Sequence, residues 1–321
     1  LMDAILAGLK WECCLVYLDD VIIFSRSFEQ HLCDLERVFT RFREARLALQ
    51  PKKCHLFHRS ATFLGHVVSA AGLACNPGKV AAIRQLPPPK DLPALRRFLG
   101  MVGYYRRFID HYMEKAHPLY RLLHAEHYVW TKQHQAAFEG LRDALATAPV
   151  LVFPDFDQPF TLETDASGIG IGAVLTQEHD GQRRPVAYYS RVLHGPETRY
   201  PTVDQECLAI CEAIKHFRCY LESRPFTVIT DHRCLVYLNR ISAADPSSLL
   251  ARWALHLQNY RHEIVYRPGK QNQVADALSR IGPPVPPSTP GATPVAMAVE
   301  ASPTPTTPSV TPTAAPPPPI D

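Results

Sequence analysis

Two apolar runs, CCLV at 13–16 and VIIF at 21–24, flank the stretch YLDD from Tyr17 to Asp20. Such runs on either side of a short polar turn predict a β-hairpin with two carboxylates at its tip. Phe28, Leu32, Leu35, Phe39 and Phe42 then recur at helical spacing, and Ser27 with Gln30 three later forms a capping-box start. HLFHRSATFLGHVVSAAGL reads as short strands with turns around Gly65, closing a first region at residues 1–75. A second region, 76–154, is helical. PPPKDLPALRRFLGMVGYYRRFI predicts a helix-turn-helix, and a helix near 131–148 carries Phe138, Leu141 and Leu145 on one stripe. APVLVFPDFDQP breaks the chain with three prolines, which places a boundary there.

From 155 to 281 the period alternates. FTLETD, IGIGAVLTQ and RPVAYYS read as three successive strands. A capping box of Thr202 and Gln205 opens a helix whose stripe is Val203, Cys207, Ile210, Ile214, Phe217 and Leu221. FTVITD is a fourth strand, Leu249, Leu250, Trp253 and Leu257 mark a helix, HEIVY is a fifth strand, and NQVADALSR a last helix. That order predicts an α/β domain on a five-stranded mixed sheet. Residues 282–321 are rich in Pro, Thr, Ser and Ala. They lack the apolar surface to offset ordering entropy and read as a disordered tail with polyproline II bias.

Composition narrows the class. A hydrophobic fraction of 46% supports real cores, while a formal charge of +3 leaves any basic surface local. The nine cysteines contain no C-x-x-C pair, so reduced, mostly buried thiols in a cytosolic or nuclear protein are expected. No secretory leader and no apolar run of about 18 residues is found, which argues against secretion and membrane spanning. Leu1 lies in the helical stretch LMDAILAGL, which leads us to expect a chain truncated at its start.

Acids stand out by position. Asp165 ends the first strand of the third region and Asp231 ends its fourth. Glu206 lies at the edge of the helix stripe, and Asp276 opens the last helix. Four acids from four elements suit a hard divalent cation such as Mg²⁺. Two such ions about 3.5–4 Å apart can activate water and stabilise the leaving oxygen of a phosphodiester. Gly168, Gly170 and Gly172 leave a bare strand beside Asp165, where a bulky backbone can approach. Taken singly, an acid at a strand end or helix start is more often simply solvated; the set is far more specific. Cys54, His55 and His58 hint at zinc, but no matching second pair follows.

TDAS, ECLAI, TDH and NQVADALSR resemble the RNase H domain of Ty3/gypsy-type retrotransposon polyproteins. YLDDVIIFS, FLGHVVS and LRRFLGMVGYYRRFI resemble the reverse transcriptase palm and thumb of the same family, and the likeness covers about residues 1–281 in the family's order. The resemblance implies that Asp165, Glu206, Asp231 and Asp276 are catalytic ligands of two Mg²⁺ ions, with Mn²⁺ as a substitute. It implies an endonuclease that cuts the RNA strand of RNA–DNA hybrids. Asp19 and Asp20 match polymerase metal ligands, with Tyr17 near the primer end, but a polymerase needs a third Asp from an earlier strand. Asp3, in a helical stretch, does not supply it.

The same resemblance makes Arg96, Arg97, Tyr104, Tyr105, Arg106 and Arg107 a grip on template-primer nucleic acid, while Arg267 and Lys270, from their place in a loop of the third region, are candidates to hold the hybrid backbone. The family's loop histidine has no clear counterpart. His262 falls early, on a strand, which leaves proton delivery to water or Tyr266. The rival expectation is a relic that binds nucleic acid without cutting it. Proline motifs in the tail are candidates for SH3- or WW-type partners.

Overall fold

The computed structural model describes residues 1–238, 248–268 and, for the backbone alone, 295–300. They fall into two units: residues 1–63 with 295–300, and the described residues from 64 to 268.

In the first unit, α1 (Met2–Ile5) precedes a hairpin of β1 (Cys14–Tyr17) and β2 (Asp20–Ser25), with Tyr17 opposite Asp20. Leu18 adopts left-handed backbone at φ 53°, which suits a two-residue hairpin turn. α2 (Phe28–Glu44) starts at Ser27, whose Oγ accepts from the Gln30 N–H at 3.2 Å. Its buried face is Leu35, Val38 and Phe42, packed with Val21 and Ile23 of β2. The expected stripe is therefore shifted: Phe28 and Leu32 are exposed, while His31 and Asp34 are buried. Those polar groups are tolerated inside because Ser25 Oγ donates to Asp34 Oδ2 at 2.7 Å and lies 3.2 Å from His31 Nδ1. β3 (Cys54–His58) and β4 (Ser60–Phe63) follow. The stretch read as a disordered tail contains a strand, Val295–Glu300, antiparallel to β2 and β3. VAMAV is the apolar segment of that tail and takes the open strand edge.

The second unit opens with the hairpin of β5 (His66–Ser69) and β6 (Gly72–Cys75). Gly72 has φ 127°, and a Cβ there would lie 2.1 Å from the Leu151 carbonyl oxygen. That close approach lets Leu73 and Leu151 exchange backbone hydrogen bonds of 2.7 and 2.9 Å. Helices α3 (Pro77–Arg84), α4 (Leu92–Tyr104), α5 (Tyr112–Leu123) and α6 (Lys132–Ala146) follow. The Asp91 side chain caps α4 by accepting from the Ala94 N–H at 2.8 Å. Phe98 and Val102 of α4 meet Phe138, Leu141 and Leu145 of α6, the stripe expected for that helix, in one core.

The sheet consists of β7 (Phe160–Ala166), β8 (Gly170–His179), β9 (Gln182–Val192), β10 (Phe226–Thr230) and β11 (His262–Tyr266) in the order β11-β10-β7-β8-β9. The first three strands are antiparallel neighbours, and β10 runs parallel to both β7 and β11. This is the mixed five-stranded sheet expected from the alternation of elements. Between β9 and β10 the chain forms α7 (Thr202–His216) and α8 (Arg218–Leu221), and between β10 and β11 it forms α9 (Leu249–Leu257). Cys207, Ile210, Ile214 and Phe217 pack with Phe160, Leu162, Leu175 and Val228. Val174 and Tyr188 of the sheet join the α4–α6 core instead. Packing is thus continuous across residue 154, where the sequence suggested a boundary.

Candidate metal centre and nucleic-acid face

β7 and β10 are parallel neighbours with Phe160 opposite Phe226, so their carboxyl ends lie side by side. Asp165 sits at the end of β7, and Asp231 directly follows Thr230. α7 delivers Glu206, which is only 3% exposed. Carboxylate oxygens of the three residues lie within 4.8 Å of one another. The first oxygen of Glu206, Oε1, accepts from the Ala166 N–H at 3.3 Å. Its second, Oε2, is buried without a hydrogen-bond partner.

Such a cluster is strained on its own. Burial, with Asp165 and Asp231 adding repulsion, pushes the Glu206 carboxyl from 4.5 up to about 8. Burial likewise raises Asp165, against a lowering by the His111 imidazole, and Asp231 raises it further. Three convergent carboxylates, one of them carrying an orphaned buried oxygen, are what a divalent cation neutralises. The residues therefore fit the cation that the pattern of acids implies.

The fourth expected ligand, Asp276, and the expected backbone contact Lys270 lie outside the described residues. Tyr266 stands opposite Thr230 in register, at the same sheet end as Asp231. His262 stands opposite Phe226, at the far end of those strands, so it is too remote to serve this centre. Arg267 pairs through Nη1 with buried Glu163 at 3.3 Å, and Arg183 reaches the same oxygen at 2.7 Å.

Arg96, Arg97, Arg106 and Arg107 are exposed on α4 and the turn after it. The tyrosines between them differ from expectation. Tyr105 is 3% exposed and donates to the Gly65 carbonyl at 2.8 Å, so its ring belongs to the core. Tyr104 is exposed but donates to the Leu64 carbonyl and stacks on His66 at 5.1 Å between centroids. Both hydroxyls pin the Leu64–Gly65 turn, where both residues have positive φ.

In the first unit, Tyr17 and Asp19 are exposed at the hairpin tip and Asp20 is half-buried at the start of β2. Among the described residues, no third acid, histidine or cysteine converges with Asp19 and Asp20, and Cys54, His55 and His58 do not converge either. No helix among the described residues is long and apolar enough to cross a membrane.

Sequence reading missed His111. It sits in left-handed backbone (φ 47°) at the start of α5, with Nε2 3.9 Å from Asp165 Oδ2. Nothing in the local sequence marks it, because the contact is made only through the packing of α5 on the sheet.

Residues 130–228 match the family model described as an RNase H-like domain found in reverse transcriptase, and residues 1–68 match that of reverse transcriptase (RNA-dependent DNA polymerase). A retrovirus-related Pol polyprotein from transposon 297 of Drosophila melanogaster is 42% identical over 282 residues. The match takes in 87% of this chain but 26% of that polyprotein, so the chain spans about a quarter of the relative's length. Foamy viral protease-reverse transcriptase structures share the fold. One in complex with double-stranded DNA superposes with TM-score 0.72 at 24% identity, covering 83% of this chain and 47% of that one. One in complex with RNA/DNA hybrid superposes with TM-score 0.70 at 23% identity, covering 90% and 39%.

Proposed function

Since this chain belongs with the retrotransposon Pol polyproteins, spanning the end of the reverse transcriptase region and the RNase H-like domain, we propose that its carboxylate centre cleaves the RNA strand of RNA–DNA hybrids. The observation that carries this reading is the convergence of Asp165, Glu206 and Asp231 with an unpartnered buried oxygen. Water adds to phosphorus, the P–O3′ bond breaks, and a proton passes to the departing 3′-oxygen, leaving a 3′-hydroxyl and a 5′-phosphate. Divalent cations, two Mg²⁺ with Mn²⁺ as a substitute, would supply charge neutralisation at the phosphodiester and a more acidic attacking water. Asp165, Glu206 and Asp231 hold them, with Asp276 as the fourth acid. Water or Tyr266 passes the proton to the leaving oxygen.

The hybrid is selected by its 2′-hydroxyls and its shape in the minor groove. Arg96, Arg97, Arg106 and Arg107 hold its phosphates and those of the template-primer duplex. The setting is the cytoplasm or nucleus, within the element's particle. Proline-motif partners of the tail are a weaker proposal, since those motifs lie outside the described residues.

The polymerase pair Asp19 and Asp20 acts only with a third acid, so primer extension by this chain alone is expected to fail. The rival reading, binding without cleavage, draws on the exposed arginines. Purified chain with Mg²⁺ and an end-labelled hybrid decides between them. The parent cuts the RNA strand and Asp165→Asn loses nearly all cutting. A parent that binds the hybrid but leaves it intact, or an Asp165→Asn variant that cuts as well as the parent, overturns the nuclease assignment.

A further inference from the structure

One row crosses three strands of the sheet: Asp165 of β7, Gly172 of β8 and Ser190 of β9 are register partners. The start of α5 docks on this row. Ser190 Oγ accepts from the Met113 N–H at 3.0 Å, which caps the helix from another element. The His111 ring rests on Gly172, where an added Cβ would come within 2.7 Å of its Cε1 and Nδ1. Glycine at 172 is thus the seat of an imidazole rather than the open approach for a substrate backbone expected from the sequence. The ring's Nδ1 lies 3.4 Å from Glu114 Oε2, and its Nε2 lies 3.5 Å from Asp110 Oδ1 and 3.9 Å from Asp165 Oδ2. Asp110 and Glu114 grip the ring from its own segment, and Asp165 is what it reaches across to.

A helix start needs no imidazole, and asparagine or glycine meets the left-handed backbone with less strain. We propose that His111 is a positioning residue of the carboxylate centre: seated on Gly172, it holds the Asp165 carboxylate facing Glu206 and Asp231. The inference rests on the reading of that centre as a cation site. It makes cation affinity depend on a side chain outside the RNase H-like sheet, supplied by the helical region before it.

The test is Mn²⁺ binding to the full chain without nucleic acid, read by electron paramagnetic resonance of the free ion. Five proteins are compared: the parent, His111→Asn, Gly172→Ala, the double variant of these two, and Asp165→Asn. Asparagine keeps the left-handed backbone while removing the imidazole. Gly172→Ala keeps the imidazole and unseats it. Each of these two variants weakens Mn²⁺ binding by about tenfold, the lower end of what loss of a ligand-orienting partner costs. The double variant binds no more weakly than the worse single one, since both break the same interaction. In His111→Asn, cation-free hybrid affinity stays at the parent's value, and cutting recovers at saturating Mn²⁺. A folded His111→Asn that binds Mn²⁺ within about twofold of the parent, well short of that loss, while Asp165→Asn abolishes binding, refutes the positioning role and leaves the centre standing. If Asp165→Asn binds Mn²⁺ like the parent, the reading of the centre itself fails. Should His111→Asn not fold by circular dichroism, Gly172→Ala decides by the same criterion.

Discussion

Replacing Glu206 by glutamine keeps the shape of a side chain that is 3% exposed and removes its charge. In the parent, burial and the facing aspartates raise that carboxyl from 4.5 to about 8. Between those values the folded chain retains a proton that the unfolded chain has released. Raising the pH through the window therefore favours unfolding, and cation-free stability falls. The gap is about 3.5 pH units, which at about 1.36 kcal/mol per unit caps the loss near 5 kcal/mol. Asp165 and Asp231 share the repulsion and can relax toward solvent, so about 2–3 kcal/mol is the expected loss between about pH 5 and pH 8. Urea unfolding in chelator, followed by circular dichroism, measures it. Glu206→Gln lacks the titrating group and loses much less over the same range. Mg²⁺ restores the parent at the higher pH and does little for the variant, because only the parent regains a compensated carboxylate. Equal pH dependence in both proteins, or no rescue by Mg²⁺, refutes the argument that these carboxylates strain the cation-free fold.

Two further outcomes are expected from other parts of the molecule. Gly72→Ala places a Cβ where the Leu151 carbonyl stands, at a backbone angle that disfavours L side chains, and should lower stability by at least about 2 kcal/mol in the same urea assay. Converting Arg96, Arg97, Arg106 and Arg107 to alanine should weaken hybrid binding regardless of sequence. The log–log salt slope should fall by about 0.7–0.9 for each phosphate the protein ceases to neutralise, as read by fluorescence anisotropy over a salt series.

The sheet and its helices were legible because their elements carry clean periods: the α7 stripe and the strand runs name their own buried faces. Asp165 and Asp231 could be read as partners because each closes an apolar strand, and parallel pairing brings such ends together. Other features lay beyond local pattern. α2 buries His31 and Asp34 rather than Phe28 and Leu32, since a hydrogen-bonded trio with Ser25 makes the polar pair acceptable inside. Tyr104 and Tyr105 look like nucleic-acid contacts beside four arginines, yet their hydroxyls go to carbonyls about forty residues away in sequence. His111 depends on a missing Cβ on a distant strand, and a tail segment becomes a strand because β2 and β3 offer it edges.

The convergence of acids from β7, α7 and the end of β10 is the claim on which the nuclease reading stands, and anomalous scattering from Mn²⁺-soaked crystals tests it most directly. The account predicts manganese bound by oxygens of Asp165, Glu206 and Asp231 together. Crystals saturated with Mn²⁺ that show no peak at these carboxylates, or manganese held only elsewhere, would contradict it.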